Sequence, residues 1–240
     1  MSLRFRFWLI TIATLVGITV TLSLGRWQLS RANQKETLQA AIEGQGQLTA
    51  LDSVALLNLS DPADAIHRLV KLRGSWVGER TVFLDNRQMN AKPGFYVVTP
   101  LMIENSRQTV LVQRGWVARN FTERANVPTI PSATGMVEVE GRIAPPPSKL
   151  YQLGATEPGL IRQNLDIAAF KVETGLTLLP LSVVQTSAAN DGLLREWAVV
   201  ASSASKNYGY AFQWFGLSLL ITLLYVWFQI GKRFFSKQAA

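Results

Sequence analysis

Cysteine is absent from the 240-residue chain, and histidine occurs once, at position 67. Without cysteine there are no disulfides, thiol nucleophiles or thiolate metal sites, and one imidazole cannot build a multi-histidine metal centre. A serine–histidine–aspartate triad would have to use His67, but the sequence has neither a Gly-x-Ser-x-Gly turn nor a phosphate-binding loop. A single histidine in a polar loop is usually a solvated side chain. The sequence therefore predicts no catalytic residue and no metal site.

Charged side chains are missing from two long stretches, residues 7–24 and 207–231. Because an α-helix rises 1.5 Å per residue, about 20 apolar residues cross the hydrocarbon core of a bilayer. A cleaved signal peptide and a buried core helix are the alternatives for the two stretches. The first stretch is longer than the usual apolar part of a signal peptide, and the second is followed directly by Lys232 and Arg233. We therefore predict membrane-spanning helices at residues 7–25 and 207–231.

Acidic residues are absent from both tails, whereas basic residues occur there at five positions: Arg4, Arg6, Lys232, Arg233 and Lys237. Lys and Arg next to a span tend to stay cytoplasmic, although three basic residues past the first span favour the opposite orientation: Arg26, Arg31 and Lys35. We expect cytoplasmic tails at residues 1–6 and 232–240 and a periplasmic domain at residues 26–206, in a bacterial inner membrane. This topology accounts for the net charge of +8, which gives little support for nucleic-acid binding.

Between the spans the pattern changes from helix to strand. The first helix is expected to continue until Gly44 and Gly46. Apolar alternation then predicts about seven strands, at residues 69–77, 81–84 (which runs into residues 85–87), 95–103, 109–117, 137–140, 178–186 and 196–201. A short helix is expected at residues 166–174. Because the spacings are short, antiparallel pairing is favoured. The predicted fold is an α+β membrane protein: two transmembrane helices flank one mainly antiparallel-β outer domain, a sheet or partly open barrel.

Aromatic and amide residues cluster where the second span begins, at Asn207, Tyr208, Tyr210, Gln213 and Trp214. Tyr and Trp are typical of the belt at a membrane interface, and this explains most of the cluster. Gln213 is not explained in this way, because a buried amide needs partners from the other helix, a ligand or a partner protein. These five residues are therefore the candidate ligand-contacting site.

Four segments stand in order along the chain: GRWQL-x-R at residues 25–31, LDNR at 84–87 followed by GFYVVTPL at 94–101, VLVQRGWV at 110–117, and YGYA-x-QWF at 208–215. Together they resemble the Surfeit-locus family of cytochrome c oxidase assembly factors, including its yeast Shy relatives. The family usually has Asn at the position of Gln113. The resemblance covers nearly the whole chain and agrees with the two-span topology.

The resemblance implies a non-enzymatic assembly factor for heme-copper terminal oxidases that helps heme a reach the catalytic subunit. The implied partners are that subunit and other assembly factors. The resemblance also implies a transient contact with heme a, which makes the cluster at Asn207, Tyr208, Tyr210, Gln213 and Trp214 the heme-proximal candidate. The family commonly has a histidine, the proposed heme ligand, at the position of Asn207. An amide is a poor iron ligand, so direct ligation by this chain is not expected.

Eight residues of these motifs are candidates for partner contact or for a structural role: Arg26, Trp27, Gln28, Asn86, Arg87, Arg114, Gly115 and Trp116. Their arginines could bind a partner or heme propionates through charge-assisted hydrogen bonds, or could equally hold strand ends. Their tryptophans are expected to pack. Two rival functions stay open: a two-span periplasmic sensor or scaffold without enzymatic activity, and an envelope hydrolase that uses His67.

Overall fold

The computed structural model describes residues 2–120, 127–151, 158–188, 191–197 and 204–231. It divides into two compact units, one made of Met1–Ala40 and Val199–Ala240 and the other of Ala41–Ala198. We call them the helical pair and the β domain. The helices are α1 (Leu3–Gly46), α2 (Ser53–Leu57), α3 (Ile167–Thr174) and α4 (Ala204–Tyr225). The strands are β1 (Leu69–Trp76), β2 (Val82–Met89), β3 (Lys92–Ile103), β4 (Gln108–Ala118), β5 (Met136–Ala144), β6 (Ile161–Arg162) and β7 (Thr177–Gln185).

The helical pair consists of α1 and α4, and each is long and apolar enough to cross a membrane. α4 continues as a π-helix over Val226–Gly231. Most of the large apolar side chains point away from the pair, as lipid-facing side chains would. The buried positions are instead small: Thr21, Gly25, Ala32, Ala204, Ala211 and Ser218. Small residues let two helix backbones approach closely where no water drives apolar burial, so they form the contact between the helices.

The β domain is a closed barrel with an extension. Its strands follow the order β1-β5-β7-β4-β3-β2-β6, and an additional pairing between β1 and β3 closes the first five into a ring. Five pairings are antiparallel, whereas β4–β7 and β2–β6 are parallel. The predicted fold class, two apolar helices flanking a mainly antiparallel-β domain, is confirmed. The parallel β4–β7 pair differs from the antiparallel pairing that was predicted. This pair is possible because β5, β6 and α3 lie between the two strands in the chain and supply the long crossover that parallel strands need.

The barrel interior is filled from all five ring strands, by residues such as Leu72, Leu101, Val112, Val139 and Val183. A second apolar cluster lies where α3 covers the sheet through Phe170. β4 is therefore buried along nearly all of its length, because both of its faces are covered.

α3 begins and ends as its sequence predicts. The side chain of Asp166 accepts hydrogen bonds from the backbone N–H groups of Ala168 and Ala169, and Gly175 ends the helix with a left-handed backbone at φ 72°. The helix predicted at residues 166–174 is confirmed.

The strand predicted at residues 196–201 is absent at residues 196 and 197, the two that the structure describes. Glu196 and Trp197 lie in no strand, while residues 198–201 lie outside the described part of the chain. Trp197 is held by its side chain, whose Nε1 donates to the Gln185 carbonyl at 2.8 Å and whose ring meets Tyr96 edge-on at 5.2 Å. The apolar pattern there reflects this packing and not a strand ladder. The short elements α2 and β6 were not predicted.

Candidate functional site

The candidate residues fall into two groups, one in each unit. In the helical pair, the Asn207 amide bridges α1 and α4. Its Nδ2 donates to Gln28 Oε1 at 2.6 Å, and its Oδ1 accepts from Lys35 Nζ at 2.7 Å. Gln28 and Lys35 lie on the same side of α1, two turns apart, so one side chain of α4 reaches both. The structure therefore brings the first and fourth motifs together.

Iron ligation does not fit this arrangement. Both ends of the Asn207 amide are hydrogen-bonded, and an amide is a poor iron ligand. The hydroxyl of Tyr208 donates to Glu36 Oε2 at 2.9 Å. The only histidine of the sequence belongs to the β domain, so the helical pair carries no imidazole.

The other candidates of α4 differ in exposure. Tyr210 is half exposed, Gln213 is exposed and Trp214 is intermediate. No other described residue hydrogen-bonds to the amide of Gln213. Its amide therefore faces outward from the helical pair and is not buried within it, so of the three partners that the sequence left open, the other helix is not one.

The first motif contributes a close helix contact and an outward face. A Cβ added to Gly25 would lie 2.6 Å from Cε1 of Phe215, so the ring of Phe215 occupies the space that a larger residue would need. Trp27 is 51% exposed, and the Arg31 guanidinium stacks on its ring at 5.7 Å. Arg26 is exposed as well. Gly25 and Gln28 therefore face α4, while Arg26 and Trp27 stay available for other contacts.

In the β domain, Arg87 is buried and held by three neutral acceptors. Its guanidinium donates to Ser148 Oγ at 3.0 Å, to the Ser148 carbonyl at 2.8 Å and to the Gln163 carbonyl at 3.0 Å. It also stacks on Tyr96 at 5.9 Å. Burial lowers the pKa of the Arg87 guanidinium, and the neighbouring Tyr96 opposes this in part. Arg87 thus ties β2 to the loops at residues 148 and 163.

The neighbours of Arg87 in the motifs also serve the fold. Trp116 is buried and its Nε1 donates to the Arg87 carbonyl at 2.9 Å, which joins the second and third motifs. Asn86 is exposed with a left-handed backbone at φ 57°, at the bulge where the β2–β3 register shifts. Position 115 requires glycine because Leu193 packs closely against it: a Cβ there would lie 2.7 Å from Cβ of Leu193.

Arg114 belongs to an ion-pair cluster. It is 3% exposed and donates to Ser132 Oγ, to the Pro131 carbonyl and to Asp191 Oδ2, the last at 3.2 Å. Arg195 donates to the same Asp191 oxygen at 2.6 Å and to the Arg114 carbonyl. Burial lowers the pKa of the Arg114 guanidinium, and Asp191 opposes this. The guanidinium also stacks on Trp76 at 4.7 Å.

A cleft of about 460 Å³ adjoins this cluster, within the usual size range of ligand sites. Its lining includes Trp76, Arg114, Glu138, Gln185 and Asp191. The sequence indicated only Arg114 among them. Asp191 and Arg195 were missed, although their spacing of four residues is a common one for ion pairs. Nothing in the sequence marked Gln185 as a candidate site residue, because it is the last residue of a strand and belongs to no motif.

His67 is engaged by a neighbour in the β domain. Arg142 Nη1 lies 3.0 Å from His67 Nδ1, and since a guanidinium only donates, His67 accepts through Nδ1. Burial lowers the pKa of His67, and the positive charge of Arg142 lowers it further. The neutral ring then carries its proton on Nε2, which leaves neither nitrogen with a free lone pair for general-base chemistry. Among the described residues there is also no cluster of acidic or histidine side chains suited to a metal ion.

Comparisons with known proteins agree with this assignment of motifs. The model of the SURF1 family matches residues 15–219. A SURF1-like protein of Rickettsia conorii is 28% identical over 223 residues, covering 88% of this chain and 87% of the relative. A SURF1-like protein of Rickettsia felis is 28% identical over 228 residues, or 90% and 94% of the two chains. The Saccharomyces cerevisiae cytochrome oxidase assembly protein SHY1 is 26% identical over 99 residues, or 41% and 25%. Because the match runs through both apolar helices and the β domain between them, the chain is a member of the SURF1 family.

Proposed function

We propose that this protein is an assembly factor for a heme-copper cytochrome oxidase, acting at the stage when heme a reaches the catalytic subunit. The observation that carries the proposal is the family match over residues 15–219, together with a relative named as a cytochrome oxidase assembly protein. The proposed partners are the catalytic subunit and other assembly factors. A sensor role has no comparable support among these relatives.

The side chains favour protein contact over bond-making chemistry. The two buried arginines of the motifs, Arg87 and Arg114, donate hydrogen bonds to loops of the same domain. The one imidazole accepts from Arg142. The exposed groups of the motifs, by contrast, are aromatic, amide or cationic, which is the chemistry of a contact surface. On this basis the proposed role is that of a non-enzymatic scaffold.

Heme a enters the proposal only as the cargo of the partners. Asn207 is committed to Gln28 and Lys35, and the helical pair carries no imidazole. Any contact between this chain and heme a would then be transient and would involve the ring face, beside residues such as Tyr210 and Trp214. Iron ligation is assigned to other proteins of the assembly process.

The proposed location is the inner membrane of a bacterium, with both termini cytoplasmic and the β domain periplasmic. Its support is the absence of acidic residues from both tails, which carry Arg4, Arg6, Lys232, Arg233 and Lys237. Residues 232–240 lie outside the described part of the chain. Reporter fusions test the orientation: a fusion at Ala240 should be active only in the cytoplasm and one near Pro145 only in the periplasm. A periplasmic C-terminus would contradict it.

A deletion strain tests the function itself. Its membranes should lose heme-copper oxidase activity while the oxidase genes remain expressed, and the wild-type gene should restore the activity. The His67→Ala variant should restore it too, because a scaffold does not need the imidazole. Full oxidase activity in the deletion strain would refute the assembly role, and failure of the His67→Ala variant at normal protein amount would favour a hydrolase.

A further inference from the structure

The barrel wall is interrupted beside the end of β7. β7 pairs with β5 only as far as Gln185, which lies opposite Gly141, whereas β5 extends back to Met136. Past Gln185 the backbone N–H groups of Thr186 and Ser187 both donate to the Glu140 carbonyl. The chain then leaves β5, and its next bridge joins Leu194 to Trp116 on β4.

Within the described part of the chain, the interruption leaves the edge of β5 at Glu138 without a partner strand. Ile143 N donates to the Arg68 carbonyl, so alternate residues of β5, from Gly141 to Val139 and Val137, direct their backbone groups to β1. The residues between them face the β7 side, as the Thr186 bond to Glu140 demonstrates. Among the residues that the structure describes, none hydrogen-bonds to the backbone of Glu138 on that side.

This edge borders the cleft beside Arg114. Glu138 lies opposite Arg73 in the β1–β5 register and is one of the residues that line the cleft. The cleft volume of about 460 Å³ is adequate for a short length of chain. An extended backbone is the ligand that offers alternating C=O and N–H groups at the spacing of a strand.

Two buried polar atoms of the cleft residues also have no hydrogen-bond partner among the described residues. They are Nε of Arg114, a donor, and Oε1 of Gln185, an acceptor. Both side chains are more than nine-tenths buried, so each unmade bond costs free energy. Arg114 and Arg195 share the carboxylate of Asp191, and Glu138 is a second acidic residue of the cleft lining, so the charges are equal in number and a neutral group is favoured. A carboxamide supplies both an acceptor and a donor, and the two side chains would have to turn toward the cleft to bond to it.

We propose that an extended segment of a partner protein adds to β5 at Glu138 as a short strand and places an Asn or Gln side chain in the cleft near Arg114 and Gln185. The interaction is β-strand addition, in which backbone bonds supply affinity and the cleft supplies selectivity. The identification of the partner as an oxidase subunit or assembly factor rests on the proposed function. The strand addition itself does not.

Photo-crosslinking of the full-length protein in its native membrane tests the site. A benzoylphenylalanine is placed at Ala133, which lines the cleft, or at Thr134, its exposed neighbour outside the lining. We expect an adduct from position 133 and one weaker by roughly tenfold from position 134, as suits a contact confined to the cleft. Mass spectrometry of the adduct should place the crosslink in a segment that contains Asn or Gln.

Two proline variants test the strand pairing. Glu138→Pro removes an edge N–H, and Met136→Pro does the same at the first residue of β5, where proline is best tolerated. Whichever variant keeps its protein amount and thermal midpoint should lose the adduct by roughly tenfold. An adduct that survives would show that the cleft holds something other than an added strand, and no adduct at position 133 would refute the site. Oxidase activity in the same strains separates these outcomes from failure of the assembly role.

Discussion

Asn207 and Gln28 are joined across the two long helices by a hydrogen bond of 2.6 Å from Nδ2 to Oε1. With the bond from Lys35, this places the amide of α4 between two side chains of α1. A hydrogen bond between membrane helices typically contributes about 0.6 kcal/mol, and up to about 2 kcal/mol in model peptides. The residue that stands in place of the family histidine therefore acts in this chain as a link between the helices.

Asn207 offers a direct test of heme contact. The wild-type protein, purified in detergent, should retain little heme a because its amide is occupied. Asn207→His should raise the amount retained, since imidazole is among the commonest axial ligands. The measurement is the absorption spectrum after washing, with Asn207→Gln as the control that restores no imidazole. Stoichiometric heme a that resists washing in the wild-type protein would contradict the prediction.

Gly25 should tolerate no larger residue. In Gly25→Ala the new Cβ would meet the Phe215 ring at 2.6 Å, so the helices must separate or the ring must turn. Overpacking of this kind costs about 1–3 kcal/mol. Gly216→Ala is the matched control, because nothing lies within 4 Å of a Cβ there. Thermal unfolding in detergent should show a lower midpoint for Gly25→Ala only. Equal midpoints would mean that the contact is loose.

Arg87 should prove to be a structural residue. Arg87→Lys keeps the charge, but a single ammonium cannot reach Ser148 Oγ, the Ser148 carbonyl and the Gln163 carbonyl together. The loss should be about 1–3 kcal/mol in the free energy of unfolding of the β domain. Exposed Arg107→Lys serves as the control. A stable Arg87→Lys protein that fails to support the oxidase would instead identify Arg87 as a partner contact.

Trp27 should matter for function more than for folding. Its ring is 51% exposed, so removing it leaves the contact between α1 and α4 intact. In Trp27→Ala, oxidase activity should fall further than the amount of this protein, as measured by immunoblot of the same membranes. Trp8→Ala, which removes another exposed tryptophan from α1, should leave the activity unchanged. Activity that merely tracks protein amount would make Trp27 a folding residue.

His67 should make the stability of the β domain depend on pH. Its pKa in the folded protein is lowered from 6.5, first by burial and then by Arg142. Below pH 6.5 the unfolded chain therefore binds more protons at this position than the folded chain, and stability falls as the pH is lowered toward the folded pKa. Above that window the contribution is fully present. Thermal midpoints between pH 8 and pH 5 should show the decline (roughly the titration range of histidine).

His67→Asn is the control for this prediction. Asn tolerates the left-handed backbone that His67 adopts at φ 76°, and it does not titrate. The variant should have a flatter pH profile than the wild-type protein. Identical profiles would mean that other groups cause the dependence.

The sequence alone determined the two apolar helices, the mainly antiparallel β domain and the capped helix α3. Each of these follows from local patterns: absence of charge over a span, alternation along a strand, and Asp166 and Gly175 at the ends of α3. Four short motifs likewise indicated the family. The prediction of a strand from residue 196 onward was wrong at residues 196 and 197, because an apolar residue such as Trp197 can be held by side-chain packing alone.

Only the tertiary structure decided how distant residues meet. Closure of the barrel through β1–β3 and the parallel β4–β7 pair depend on contacts between residues far apart in sequence, which no local pattern encodes. The same is true of side-chain partners: Asn207 finds Lys35, Arg114 finds Asp191, and His67 finds Arg142. Among the described residues, the edge of β5 at Glu138 has no partner strand, because β7 stops opposite Gly141 whereas β5 reaches back to Met136. How far a strand runs beside its neighbour is set by the assembled sheet. The residue types in the sequence therefore show which chemical groups the protein carries. Which of these groups already have a partner within the fold depends on the tertiary packing.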